Sequence, residues 1–484
     1  MTFQEENNEL LQSILNSYYR FWKLDKKDQE SFNNGIPGNL TFEIFVTPKC
    51  NQACSYCYLV KHGEELYPSS CVDNEKILSN LKILLNYCLE SSFRFPKFDI
   101  FSGEILGTEL GNKVLTIILD YIERGLQIDH IVIPSNCSFL YNTKATEFIQ
   151  KCIDRAASMG CRISISASVD GAIIDTKTRN FISGREVSEK LRTEEFYDRV
   201  FAFCRKNMYG VHPMVSALSV KYWIEQYDWW QDAIFRRIGT PELYQYSMFL
   251  EVRDNNWTDE AIRDYLKFLN HMIDADMKAC WEGREDELLR IMLPAGNITG
   301  VSEREKELQE VRVNYIPYRF PYKVMALGCS AQTSMSVRLG DLAIYPCHRT
   351  CYDKFIYGHY VVENGKITGL KAKNVLLANR IINQSTKGMM RCNSCSIDHY
   401  CIRGCYGAQY EASKELFYPC ETVCRFNKIR LLFLYEKVKS IYQKYNLSNK
   451  ITIDYKQNEL EDTINKVLEE EDMLKWKQEI STLI

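Results

Sequence analysis

The sequence predicts an α/β protein: a partial (β/α)6 TIM-like barrel, then a small cysteine-rich domain and a helical tail. Two observations lead to this fold class. Short β-rich runs alternate with stretches of helical length through residues 39–282, and most cysteines fall in two clusters. A chain of 484 residues has room for more than one packed core.

Six runs have the composition of strands, and stretches of helical length separate them. They are Thr41–Thr47, Phe98–Ser102, His130–Pro134, Arg162–Val169, His212–Val220 and Tyr244–Val252. Alternation of strand and helix is typical of parallel βαβ units. Six such units predict a partial barrel, with the active site at the C-terminal ends of the strands.

Five segments follow from composition. We expect an N-terminal helical extension over 1–38, which is too short for a core of its own, and the partial barrel over 39–282. A charged, irregular bridging segment covers 283–325. The cysteine-rich domain covers 326–427, and a charged helical tail covers 428–484.

Composition excludes several classes of protein. Hydrophobic residues make up 45% of the chain and charged residues 25%, as in ordinary globular proteins, and the net charge is −3. A general nucleic-acid binder would usually be basic. No apolar run approaches the roughly 18 residues that span a bilayer, and the acidic, polar N-terminus is unlike a secretory signal. We therefore expect a cytoplasmic protein with no nucleic-acid or membrane partner.

The nineteen cysteines are unusual for such a protein, because a reducing cytosol disfavours structural disulfides. Cys50, Cys54 and Cys57 form a C-x3-C-x2-C loop directly after the first predicted strand. Three thiolates at this spacing can hold three irons of a four-iron cluster, leaving the fourth iron open. A structural zinc site would require a fourth ligand, and His62 and Cys71 lie outside the tight loop.

This loop resembles the signature of the radical S-adenosylmethionine (radical SAM) superfamily, in which an aromatic residue, here Tyr56, usually precedes the last cysteine. The resemblance implies a [4Fe–4S] cluster on the three cysteines and S-adenosylmethionine on the open iron. One-electron reduction would then yield methionine and a 5′-deoxyadenosyl radical.

Polar residues at three further strand ends resemble the family's cofactor-binding motifs. In Ser102–Glu104, serine replaces the first glycine of the family's Gly-Gly-Glu motif. Ser135 and Asn136 stand where relatives often have Thr-Asn-Gly, and the run from Ser166 to Asp170 is similar to Ser-x-Asp-Gly. The residues implied are Ser102, Gly103, Glu104, Ser135, Asn136, Ser166, Ser168 and Asp170. Each run alone is weak, because such strings often form turns.

Nine further cysteines fall between Cys329 and Cys424, and they include the pattern C-x2-C-x5-C-x3-C. This pattern resembles the SPASM domain of radical enzymes that act on peptides and proteins, which commonly holds two auxiliary [4Fe–4S] clusters. Three clusters in all are then implied. The outer auxiliary cluster would be held by Cys392, Cys395, Cys401 and either Cys424 or Cys420. A zinc–thiolate site is the alternative for this region.

The inner auxiliary cluster would be held by Cys329, Cys347 and Cys405. Here the sequence departs from the family, because Gly340 stands seven residues before Cys347 where the family spacing is five. The usual extra ligand upstream is also absent. We expect Cys351 as the fourth ligand; otherwise an open iron would be available to bind substrate.

The resemblance implies a maturase that abstracts hydrogen from a ribosomally made precursor peptide and passes a further electron to an auxiliary cluster. The product would be a thioether or a carbon–carbon cyclophane crosslink, and a flavodoxin or ferredoxin would donate electrons. Glu251 and Asp254 are candidate bases, and we expect His348 to face solvent. A sulfatase-maturing enzyme and a non-enzymatic electron carrier or zinc–thiolate scaffold are the alternatives.

Overall fold

The structure is a computed structural model. It describes residues 2–33, 40–207, 211–238, 245–247, 249–250, 257–282, 290–293, 296–297, 331, 333–383, 392, 394–397, 401, 405–444 and 457–484. No helix in these ranges is long and apolar enough to span a bilayer.

The helices and strands are numbered in chain order. The helices are α1 Phe3–Trp22, α2 Lys26–Asn33, α3 Tyr58–Leu66, α4 Asn74–Glu90, α5 Glu109–Glu123, α6 Thr143–Ser158, α7 Ala172–Thr178, α8 Arg185–Leu191, α9 Glu194–Asn207, α10 Trp223–Ile238, α11 Asp259–Trp281, α12 Val375–Asn383, α13 Tyr406–Ser413, α14 Glu421–Lys444, α15 Gln457–Leu468 and α16 Glu471–Leu483. The strands are β1 Thr41–Phe45, β2 Arg94–Phe95, β3 Lys97–Phe101, β4 Gln127–Ile128, β5 His130–Ser135, β6 Arg162–Ala167, β7 Met214–Val215, β8 Gln245–Ser247, β9 Phe249–Leu250, β10 Arg290–Leu293, β11 Gly296–Asn297, β12 Ser334–Arg338, β13 Ala343–Tyr345, β14 Gly358–Glu363 and β15 Lys366–Ala372.

The chain divides into two compact units. The first unit comprises Met1–Ser168, Arg179–Leu191 and Cys329–Gly388. The second comprises Val169–Thr178, Arg192–Gly328 and Met389–Ile484. Both units are therefore discontinuous along the chain, and the predicted five-segment division stays a prediction.

An eight-stranded mixed sheet forms the centre of the first unit, in the order β15-β14-β13-β12-β1-β3-β5-β6. The run from β12 through β1, β3 and β5 to β6 is parallel, and β12 to β15 are antiparallel. Strands β1, β3, β5 and β6 correspond to the first four predicted β-rich runs. The predicted α/β class is therefore confirmed.

One face of the parallel strands is apolar and almost wholly buried. It carries Phe42, Ile44, Phe98, Ile100, Ile131, Ile133, Ile163, Ile165, Met335 and Val337. Because side chains alternate along a strand, the other face presents the intervening residues. In register across β12, β1 and β3 these include Ser336, Glu43 and Asp99, all of which are also buried. One face of the sheet therefore packs apolar side chains, and the other buries polar ones.

Helix α1 packs on the first unit and does not stand apart from it. Thr2 caps the helix, because its hydroxyl accepts from the Glu5 N–H while the Glu5 carboxylate accepts from the Thr2 N–H. At the other end the Trp22 ring lies 5.3 Å from Phe42 and 5.1 Å from Phe95, measured between ring centroids. These contacts seal the apolar side of β1.

The second unit contains α7, α9, α10, α11 and the C-terminal helices. Ring contacts between Trp257 and Phe426 at 4.6 Å, and between Tyr265 and Phe426 at 5.0 Å, join α14 to α11 and the residues just before it. In the described part of the fifth and sixth predicted runs the strands are short, and β7 pairs in parallel with β9 outside the eight-stranded sheet. The partial barrel of six units stays a prediction. Of the predicted bridging segment, 290–293 and 296–297 are described as β10 and β11.

Candidate active site

The first cysteine loop connects β1 to α3, and Cys57 stands at the N-terminus of that helix. The Cys54 side chain is buried, while Cys50 and Cys57 are half-buried. Backbone hydrogen bonds fasten the loop to the segment before α8, from Ala53 N–H to the Asn180 carbonyl at 2.8 Å and from Ile182 N–H to the Asn51 carbonyl at 3.0 Å. The three thiols are thus carried by a loop held in place from the side.

Burial, with smaller contributions from Glu104, Cys54 and Cys57, raises the pKa of the Cys50 thiol to about 12, although the Gln52 N–H opposes the shift. The Cys50 thiol therefore resists ionisation. A bound cation reverses this preference, because metal coordination deprotonates a thiol. Such a set of donors fits a cationic iron centre.

Among the described residues, no three His, Cys, Asp or Glu side chains are arranged to hold a single metal ion. A four-iron cluster makes a different demand, because each of its thiolates binds a separate iron. Three cysteines on one short loop without a fourth ligand match that donor set, and they do not match a closed zinc tetrahedron.

The Ser102–Glu104 segment binds the start of the cysteine loop through its backbone. Gly103 N–H donates to the Thr47 carbonyl at 2.7 Å, and Glu104 N–H donates to the Lys49 carbonyl at 2.9 Å. A Cβ on Gly103 would lie 2.3 Å from the Lys49 carbonyl oxygen. Glycine at this position therefore permits the two backbones to touch.

The buried Glu104 carboxylate joins two of the predicted motifs. It accepts hydrogen bonds from Leu106 N–H at 2.9 Å, Ser135 Oγ at 3.0 Å and Asn136 N–H at 2.6 Å. Burial raises the pKa of Glu104 to about 7, against the lowering effect of these bonds and of Arg179. Because its oxygens already accept these bonds, Glu104 holds the ends of β3 and β5 together.

Asn136 reaches from the end of β5 to the cysteine loop. Its Nδ2 donates to Asn51 Oδ1 at 2.8 Å and approaches Cys50 Sγ at 3.8 Å. Ser102 Oγ is buried and has no hydrogen-bond partner in the described part of the chain. An unsatisfied buried hydroxyl is costly. The sequence predicts these residues at successive strand ends, but it does not predict the hydrogen bonds that they share.

A cavity of about 390 Å³ opens beside this junction. Its polar lining residues include Lys49, Cys50, Asn51, Glu104, Thr108 and Ser138. The structure thus brings Cys50 and Glu104 to one cavity, with Ser135 and Asn136 hydrogen-bonded behind it.

The third predicted motif is divided between the two units. Ser166 on β6 is half-buried, and Ser168 N–H donates to the Ser135 carbonyl at 2.7 Å in the first unit. Asp170, in the second unit, is fully buried, and its carboxylate accepts from Met214 N–H at 2.7 Å. That carboxylate fastens the residues after β6 to β7.

Sequence reasoning missed a buried polar network around Asp170. Its backbone N–H donates to Asp175 Oδ1 at 3.0 Å. Asp175 in turn accepts from Tyr197 Oη at 3.0 Å and lies 3.6 Å from Arg192, with both side chains of that ion pair fully buried. The Gln226 Oε1 accepts from two N–H groups at the start of α7. These residues lie 5 to 56 positions after Asp170, and no motif in the sequence marks them.

Four of the later cysteines line one cavity of about 540 Å³ in the second unit. They are Cys392, Cys395, Cys401 and Cys424, one of the two sets that the resemblance implies for the outer cluster. Cys420 is buried just before α14 and does not line this cavity. The geometry therefore favours Cys424 over Cys420.

The structure describes only part of the proposed inner site. Cys347 and Cys351 belong to the first unit, Cys405 belongs to the second, and Cys329 lies outside the described residues. The Cys351 thiol is fully buried and donates to the Cys347 carbonyl at 3.7 Å. Burial raises its pKa to about 12, against the lowering effects of Arg338 and Tyr67.

His348 is half-buried, whereas the sequence predicts a solvent-facing residue. Its ring stacks on Phe101 at 3.5 Å between centroids, and its Nδ1 lies 3.3 Å from the buried Glu43 carboxylate. Burial raises the pKa of Glu43, but the charge and hydrogen bonds of His348 outweigh that effect and leave the pKa below its usual value. The candidate bases Glu251 and Asp254 lie outside the described residues.

Known structures with a similar fold exist, although no protein-family model and no curated protein matches the sequence. Native anSMEcpe with bound AdoMet and Cp18Cys peptide has a TM-score of 0.50 and 16% identity, covering 84% of this chain and 99% of its own. Native anSMEcpe with bound AdoMet has a TM-score of 0.50 and 15% identity, and the match covers 84% of this chain and 100% of that one. Streptococcus suis SuiB bound to precursor peptide SuiA has a TM-score of 0.46 and 15% identity, and the match covers 82% of this chain and 78% of that one. The predicted resemblance is thus confirmed at the level of the fold.

Proposed function

We propose that this protein is a radical SAM peptide maturase with a SPASM-type C-terminal region. It would modify a ribosomally made precursor peptide and install a crosslink, either a thioether or a carbon–carbon cyclophane. The observation that carries the proposal is the junction of the cysteine loop with Ser102–Glu104 and Asn136, because motifs far apart in sequence share one buried hydrogen-bond network.

Cys50, Cys54 and Cys57 would hold a [4Fe–4S] cluster with one iron open to S-adenosylmethionine. When bound, these cofactors supply a 5′-deoxyadenosyl radical that abstracts hydrogen from an unactivated carbon. Ser102, which directly follows β3, would contact the cofactor, as the resemblance implies. Glu104 and Asn136 keep the cysteine loop and the ends of β3 and β5 in a fixed arrangement.

The similarity to anSMEcpe with bound AdoMet and peptide supports a peptide substrate, because the shared fold extends over 99% of that chain. The four cysteines around the cavity in the second unit support an auxiliary cluster there. A flavodoxin or ferredoxin would supply the first electron.

The test is cleavage of the cofactor. Anaerobically reconstituted protein, given dithionite and S-adenosylmethionine, is expected to release 5′-deoxyadenosine, which liquid chromatography with mass spectrometry detects. Replacing Cys50, Cys54 and Cys57 together with alanine should abolish the release. Cys152→Ala is the matched control, because that lone thiol is buried on α6, away from the loop.

A wild-type protein that binds stoichiometric zinc, shows no iron–sulfur absorbance and releases no 5′-deoxyadenosine would refute the proposal. Release by the triple variant at the wild-type rate would refute the assignment of the loop. Incubation with short precursor peptides encoded beside this protein would then identify the bond that is formed.

A further inference from the structure

The cavity lined by Cys392, Cys395, Cys401 and Cys424 contains a buried amide that the proposed chemistry does not yet use. Asn427 is 7% exposed and lines the same cavity. Its Nδ2 donates a hydrogen bond to Cys401 Sγ at 3.4 Å. Since Asn427 lies three residues after Cys424 on α14, both side chains project from the same side of the helix.

A neutral thiol explains this contact poorly. A buried amide is costly unless it is hydrogen-bonded, and thiol sulfur is only a weak acceptor. Hydrogen bonds to an ionised acceptor are about twice as strong as those between neutral groups. The direction of the bond, from amide to sulfur, therefore suits a thiolate bound to a metal.

We propose that Asn427 raises the reduction potential of the iron–sulfur cluster that these four cysteines would hold, by donating to the Cys401 thiolate. This inference rests on the proposed function, which provides the cluster. One-electron reduction breaks no bond and adds one negative charge to the cluster and its thiolates. An N–H donor stabilises that added charge, since hydrogen bonds to the sulfurs help to set cluster potentials.

The two cationic side chains that line the same cavity are already ion-paired. Arg425 is ion-paired with Asp259 at 2.7 Å and with Asp472 at 2.6 Å, and Lys428 is ion-paired with Glu470. Replacing the neutral Asn427 leaves these pairs in place. A change in potential would therefore report on the hydrogen bond and not on a change in net charge.

The test compares wild-type protein with Asn427→Leu, which keeps the branching at Cγ and removes the donor. Both full-length proteins are reconstituted anaerobically, and a redox titration monitored by electron paramagnetic resonance gives the potential. Cys401→Ala identifies the signal of this cluster by removing it. For Asn427→Leu we expect a reduced-to-oxidised ratio of the cluster about tenfold lower than in the wild type at a fixed potential. This ratio corresponds to a reduction potential about 59 mV lower for one electron.

Asn427→Gln restores an amide and should recover part of the shift. Ile397→Val is the matched control, because Ile397 lines the cavity and has no polar side-chain atom; it should leave the potential at the wild-type value. If the leucine variant does not retain iron, Asn427→Ser carries the same comparison, because its hydroxyl is too short to reach the sulfur.

An unchanged potential in the donor-free variant, at equal iron content, would overturn the role of Asn427 and leave the proposed function intact. A shift of equal size in Ile397→Val would also overturn it, because loosening of the cavity would then suffice. A wild-type protein without this cluster signal would overturn the cluster itself. The two kinds of failure are therefore distinguishable.

Discussion

Gly103 is the residue at which the backbone of one loop touches the backbone of another. An added Cβ would lie 2.3 Å from the Lys49 carbonyl oxygen, a distance at which the main chain must move. Gly103→Ala should therefore displace the cysteine loop. We expect loss of about four of the bound irons and a lower midpoint of thermal unfolding, measured by iron analysis and calorimetry.

Gly63→Ala is the control for this prediction. Gly63 lies in α3, directly after the cysteine loop, and a Cβ there would meet no atom within 4 Å. Alanine is a better helix former than glycine, by up to about 1 kcal/mol. This variant should therefore retain all its iron, and equal iron loss in both variants would contradict the explanation.

Asp99 is a buried carboxylate on the polar face of β3. It pairs with Lys97 at 3.0 Å, while its Oδ1 has no hydrogen-bond partner among the described residues. Burial raises the pKa of Asp99 to about 6, against the attraction of Lys97. Because the folded protein binds this proton more tightly than the unfolded chain, Asp99 stabilises the fold below pH 3.8 and loses that contribution as the pH rises through 6.

Asp99→Asn should therefore change the pH dependence of stability. At pH 7 we expect the variant to be more stable than the wild type by on the order of 2 kcal/mol, because the cost of a buried charge is removed. The difference should disappear near pH 4. Denaturant titrations of the metal-free protein at several pH values measure it, and a constant difference across the range would contradict the assignment.

The sequence predicts some of these residues and misses others for physical reasons. Ser102, Gly103 and Glu104 could be found because they follow a strand directly. Asn427 and Gln226 could not, because each acts on a partner that only the folded chain brings near. His348 was misjudged, because the stacking of its ring on Phe101 depends on β-strands and loops distant in sequence.

Among the elements, helix α7 is capped at its N-terminus by a side chain from another helix. Gln226 on α10 is fully buried, and its Oε1 accepts from Ile173 N–H at 3.0 Å and from Ile174 N–H at 3.1 Å. Gly171 precedes the helix with a φ of +110°, and a Cβ there would lie 2.0 Å from Gln226 Nε2. The turn and the helix start are therefore built around this amide.

Gln226→Met should leave two N–H groups, one buried and one half-buried, without an acceptor. Each unsatisfied group costs about 1–3 kcal/mol, so we expect destabilisation of about 2 kcal/mol or more, measured by denaturant titration. Gln231→Met on the same helix is the control. Its amide donates to the Tyr227 hydroxyl at 2.8 Å and serves no helix terminus, so it should cost under 1 kcal/mol. Equal losses would contradict the capping role.

The strands show how far pattern reading extends. β1, β3, β5 and β6 could be predicted because apolar runs and intervening helices mark them locally. β12 to β15 were not predicted as strands, because cysteine and glycine spacing dominated the interpretation of 326–427. β12 also pairs with a strand from the other end of the unit, and one sequence contains no local signal for that register.

For the whole molecule, the proposed function predicts a metal content. Three four-iron clusters require roughly twelve iron and twelve sulfide per chain after anaerobic reconstitution. Alanine at Cys50, Cys54 and Cys57 together should remove about four of each. Because ligands that bind only the folded state stabilise it, removal of iron by a chelator should also lower the midpoint of thermal unfolding. Colorimetric iron and sulfide analysis with calorimetry tests both expectations.

The pairing of β1 with β12 has a consequence for the synthesis of the chain. Thr41 pairs with Ser334, so β1 leaves the ribosome about 290 residues before its neighbour. At a synthesis rate of about 5–20 residues per second, the edge of β1 that pairs with β12 stays unpaired for roughly 15–60 seconds. An unpaired edge is a template for aggregation. We expect chains truncated near residue 330 to aggregate or to remain bound to chaperones, and chains extended past residue 383 to release the chaperones. Pull-down of stalled nascent chains, with detection of bound chaperones, tests this expectation.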